Sequence, residues 1–144
     1  MKTRAIVGSI VTFGIFLLLL TLAPASAAER VVLQAGPDMR GARGEAVIRD
    51  VGAGQKEVVI TAQGLKPNEM YTVWLVNMKP KMDMAGLGAG DYAFTSDADG
   101  KGRYTGTVSA AEFGKWQLIE IAHHPDRNPR NMKNMGIALK GDFK

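Results

Sequence analysis

The stretch Tyr71-Thr72-Val73-Trp74-Leu75-Val76-Asn77 decides the fold class. It is apolar at both odd and even positions, and a strand with two apolar faces belongs in the interior of a sheet. Trp116 to Ala122 reads the same way. Two central strands are therefore expected, with Trp74 and Trp116 buried among Val58, Ile60, Val73, Leu75, Phe94, Leu118 and Ile121.

Outward from this stretch the chain alternates short strands with turn signals. Gly64-Leu65-Lys66-Pro67-Asn68 is a turn built on Pro67 and Asn68. Before it, Val58, Ile60 and Ala62 alternate with Val59, Thr61 and Gln63, a half-buried strand with β-branched enrichment. Ala46 to Val51 has the pattern of an edge strand, and Val31 to Gln34 is a short apolar start ahead of a Gly- and Arg-rich loop. Beyond the decisive stretch, Tyr92 to Ser96 and Arg103 to Val108 flank the hairpin loop Asp97 to Gly102. Ser109 to Phe113 is a single helical turn, and Ile137 to Leu139 closes the chain. Seven or eight strands at this spacing predict one antiparallel β-sandwich of Greek-key, immunoglobulin-like form over residues 28–144. The sequence contains no internal repeat and no second domain boundary.

Residues 1–27 read as a leader. Lys2 and Arg4 precede an apolar run from Ala5 to Leu22, and Ala25 and Ala27 supply the small residues of a signal peptidase site. Export to the periplasm or beyond follows, with cleavage before Ala28. An uncleaved anchor is the other reading, and would be this protein's one membrane contact. Cysteine is absent from the 144 residues, which excludes disulfides, thiolate metal sites and cysteine catalysis. Without Lys2 and Arg4, the 18 basic residues fall to 16 against 14 acidic ones, too even a balance for nucleic acid.

From Gly64 onward the order of features resembles the extracellular C-terminal domain of anti-sigma-K-type factors. The matching pieces are Tyr71-Thr72-Val73-Trp74-Leu75, Phe94-Thr95-Ser96-Asp97-Ala98-Asp99-Gly100 and Ile119-Glu120-Ile121. Asn128-Pro129 and Gly136-Ile137-Ala138-Leu139-Lys140-Gly141 complete them. The resemblance implies a β-sandwich. It does not extend to anti-sigma activity, because the chain has no sigma-binding region and no Cys/His zinc motif before the apolar segment. What it implies is a free-standing, exported version of that domain.

The residues offer no catalytic set. His123 and His124 are the two histidines, and neighbours on a strand point to opposite faces. No Gly-x-Ser-x-Gly elbow accompanies them, and Gly86 to Gly90 lacks the Lys-Ser/Thr of a phosphate loop. Asp97-x-Asp99-Gly100 resembles the start of a calcium loop, but Lys101 takes the third oxygen position, so a tight hairpin is expected. The expected function is a non-enzymatic envelope module, free of cofactors, that binds another envelope or extracellular protein. Its working surface is the 123–135 loop, with Arg127, Asn128, Arg130 and Lys133. The alternative is a periplasmic Cu(I)-binding protein, since soft thioether and imidazole donors suit that ion. His123, His124, Met132 and Met135 are its first candidate ligands, and Met78, Met82 and Met84 its second. Lys79 and Lys81 disfavour a cation at the second set, and Arg127, Arg130 and Lys133 at the first. Strand parity places the 78–90 and 123–135 loops at opposite ends of the domain. It expects His123 or His124 to bond the hairpin end near Asp97 or Asp99.

Overall fold

The computed structural model describes residues 26–143; all but Ser26 and Ala27 of the expected leader lies outside them. Among the described residues no helix is long and apolar enough to cross a membrane. The strands are β1 (Glu29–Ala35), β2 (Arg43–Gly52), β3 (Gln55–Gln63), β4 (Met70–Asn77) and β5 (Asp83–Gly86). After them come β6 (Ala93–Thr95), β7 (Gly102–Ser109), the one-turn α1 (Ala110–Phe113), β8 (Leu118–His124) and β9 (Gly136–Asp142). Ser109 caps α1 by accepting from the Glu112 amide.

All pairings are antiparallel, and they run in one continuous path, β5-β4-β8-β9-β1-β2-β3-β7, with β6 also on β4. The expected two-sheet sandwich is thus replaced by a single curled sheet, a half-barrel. The joint is β1: Glu29 to Leu33 pair with β2, whereas Gln34 and Ala35 pair with β9. The curl brings the halves over one core, which mixes Val31, Ile48, Val58 and Ile60 with Tyr71, Val73, Leu75, Ile119, Ile121 and Leu139.

Leu87 fastens the two ends of the curl together. Its amide donates to the Val73 carbonyl on β4 (3.0 Å), and its own carbonyl accepts from the Tyr104 hydroxyl on β7. Its side chain is fully buried. Together these contacts cover part of the edge that β7 would otherwise expose.

The decisive stretch is an interior strand, as read, but Trp74 is not in the core. Alternation commits Tyr71, Val73 and Leu75 to the core, so Thr72, Trp74 and Val76 face outward. Both faces read as apolar because loops cover the outer one: Thr72 and Val76 are fully buried there, and Trp74 half-buried. The Tyr92 ring lies over Gly86, opposite Trp74 on the ladder, and meets the indole edge-on at 5.6 Å. Trp116 is also half-buried, in the turn before β8, and packs on the core from outside. The other residues expected in the core, from Val58 to Ile121, are buried.

Candidate functional site

The β4–β8 ladder continues past Ala122 to pair Tyr71 with His123 and Met70 with His124. Both histidines therefore belong to the strand and not to the following loop, and they take opposite faces. His123 sits on the core side, its ring 5.1 Å from Tyr71, which stacks in turn on Phe94 at 5.4 Å. Its Nε2 lies 3.6 Å from Glu69 Oε2, beyond hydrogen-bond range, and both atoms are buried. Burial, with the nearby Lys66, holds the His123 pKa below the ordinary imidazole value against the pull of Glu69 and Asp38.

His124 lies on the outer face and is fully buried. Its Nε2 is 2.7 Å from Thr72 Oγ1, which also accepts from Trp74 Nε1–H at 2.7 Å. Its Nδ1 lacks a well-aligned partner and faces the backbone of Asn128 and Asn131. Burial lowers this pKa too, with Asp126 opposing. Neither ring bonds the hairpin end near Asp97 or Asp99; His124 bonds Thr72, and the carboxylate near His123 is that of Glu69. Asp97 instead holds its own turn, accepting from the amides of Asp99 (2.9 Å) and Lys101 (2.8 Å), with Gly100 at φ +71°. That is the tight hairpin expected from sequence.

The loop after β8 is braced from within and from both sides. Asp126, Asn128 and Asn131 each accept, through a side-chain oxygen, the amide two residues on, at 3.0, 3.1 and 3.1 Å. Asn131 Nδ2 also donates to Asp126 (2.5 Å), and these bonds hold the Asp126 carboxyl below its usual pKa. On one flank the Arg127 guanidinium donates to the Asn68 carbonyl; on the other, Arg130 pairs with Asp91 at 3.2 Å. This bracing was missed in the sequence, although Asp-x-Asn and Asn-x-Arg spacings are the signals of such turns.

The candidate metal residues separate accordingly. His123 and Met135 line one cavity of about 340 Å³ with Lys66, Lys133 and Asp38. His124 is on the other face, and Met132 is exposed. Met78, Met82 and Met84 lie at the far end of β4, as parity requires. The stretch assigned to the 78–90 loop contains a strand, however, and β5 carries the chain back until Asp91 reaches Arg130. Among the described residues no group of three or more His, Asp or Glu side chains has metal-binding geometry. A larger concavity, about 630 Å³, opens on the other half beside Val32, Arg43, Glu45, Gln63 and Lys101. Compared with protein-family models and with curated proteins, the chain matches none.

Proposed function

We propose that this protein is an exported, non-enzymatic binding module of the cell envelope, and that it contacts a protein partner through residues 125–135. The observation that carries this reading is the bracing of that loop. Three side-chain-to-backbone turns brace it from within, and contacts to Asn68 ahead of β4 and Asp91 beyond β5 brace its flanks, with Arg127, Asn128, Arg130 and Lys133 exposed. A surface that is ordered before binding loses little conformational entropy when a partner arrives. In form we read the curled sheet as a variant of the Greek-key, immunoglobulin-like architecture in which the two halves share β1, in keeping with the resemblance to the anti-sigma-K-type extracellular domain.

The test is site-specific photocrosslinking in the native envelope. A crosslinker at Asn128 or Lys133 is expected to give one discrete adduct, and one at Val51, which is also exposed, none. Equal labelling at Val51, or no adduct at Asn128 and Lys133, refutes the assignment.

A further inference from the structure

We propose that the β4–β5 hairpin is a binding site for a soft monovalent metal ion, Cu(I) in chemical class, held by the thioethers of Met78, Met82 and Met84. The reading goes beyond the loop-binding function and uses a different part of the molecule.

The geometry comes from the ladder. Val76 pairs with Met84 and Asn77 with Asp83, so the tip comprises the five residues between Asn77 and Asp83. Continuing that register sets Met78 across from Met82. Alternation then puts Met78, Met82 and Met84 on one side of the hairpin, the side of Val76. The tip is pinned: Gln117 Oε1 accepts from the amides of Met78 (2.8 Å) and Lys79 (3.2 Å), and Gln117 Nε2 donates to the Lys79 carbonyl (3.0 Å). Three thioethers are thus set on one side of the hairpin, two in the tip and one on β5, with the tip held at its β4 end.

Exposure argues that Met78 and Met82 do something other than pack, while Met84 is half-buried on β5. Methionine in a loop ordinarily closes a gap in the core. Met78 is 53% exposed and Met82 63%, so neither closes a gap in the core. Thioether sulfur is a soft, neutral donor that suits Cu(I) and is a poor ligand for hard divalent ions. Lys79 and Lys81 oppose a cation, and Asp83 on the same hairpin offsets one of them. All three charges are in solvent, where salt screens them, and the incoming ion carries a single charge.

The test uses the full exported chain with its methionine methyls labelled with carbon-13, titrated with Ag(I) as a redox-inert stand-in and with Cu(I) against a chromogenic chelator. One equivalent of either ion should shift the Met78, Met82 and Met84 methyls together and leave Met39, Met70 and Met135 in place. Met78→Leu and Met82→Leu should each weaken binding about tenfold or more, with unfolding midpoints unchanged because both side chains are exposed. Shifts confined to Met132 and Met135, no shift at all, or leucine variants that bind as tightly as the parent would each overturn the assignment.

Discussion

Thr72 and His124, on neighbouring strands and both fully buried, share a 2.7 Å hydrogen bond on the outer face of the sheet. Burial favours the neutral ring, and the backbone groups of Asn128 and Asn131 that face Nδ1 act as acceptors, so Nε2 is left to accept from the Thr72 hydroxyl while Thr72 Oγ1 accepts from Trp74 Nε1–H. The ring is therefore neutral and carries its proton on Nδ1, toward the backbone of Asn128 and Asn131. Thr72→Val removes acceptor and donor at once and leaves the buried His124 Nε2 and the half-buried Trp74 Nε1 without their partner. The expected cost is about 1–3 kcal/mol, read as a lower urea midpoint together with a displaced Trp74 indole N–H resonance. Thr72→Ser should keep that resonance in place.

The two histidines also set a pH dependence. Burial lowers both folded-state pKa values, whereas the unfolded chain titrates near the ordinary value of about 6.5. Below that pH the unfolded state binds more protons than the folded one, so stability falls as pH drops from there through the lowered folded values. It is fully present above it. Urea midpoints at pH 8 and pH 7 should agree, and the midpoint at pH 5 should be lower. Asp50 and Asp126, whose pKa values are lowered by their hydrogen bonds, act separately, below the usual carboxylate range. Burial raises the Glu120 pKa, and protonation of that carboxyl works the other way, so in a Glu120→Gln background a midpoint that holds constant from pH 7 to pH 5 would contradict the buried neutral imidazoles.

Gly86 tests how the outer face is covered. A Cβ at this position would overlap the Tyr92 ring, which rests on the glycine and meets Trp74 edge-on. Gly86→Ala should therefore displace Tyr92 and expose the indole, giving a red-shifted tryptophan emission. Tyr92→Ala should give the same shift without the clash, and an unchanged spectrum in both would place Tyr92 elsewhere.

What was legible in the sequence is what local pattern controls. The apolar run at Tyr71 marks an interior strand, and Asp97 with Gly100 marks a tight hairpin, because each signal lies within a few residues. Tertiary contacts decided the rest. Asp83-Met84-Ala85-Gly86 has no β-branched residue and becomes β5 because β4 offers it a free edge. Trp74 faces outward because Tyr71, Val73 and Leu75 claim the core side, a choice that an all-apolar strand leaves open. The histidines extend β8 because Met70 and Tyr71 continue the ladder, although Pro125 marks the true end of the strand. The single sheet is equally invisible locally, since β1 changes partners within one seven-residue strand.

The joint at Leu87 is the last point to test, because there the curled sheet is closed without a ladder. Leu87→Ala empties a fully buried site and should cost about 2–5 kcal/mol. Tyr104→Phe removes the hydroxyl that donates to the Leu87 carbonyl and nothing else, and should cost about 0.5–1.5 kcal/mol. The two changes act on one contact, so the double variant should lose less than the sum of the singles. Hydrogen exchange separates this from a general loss of stability. In Tyr104→Phe, the Leu87 amide that donates to Val73 should exchange faster, and amides of the β1–β2 ladder, separated from β7 by β3, should keep their protection relative to global unfolding. Strict additivity, or uniform loss of protection across the sheet, would show that the closing contact is not the one made by Leu87 and Tyr104.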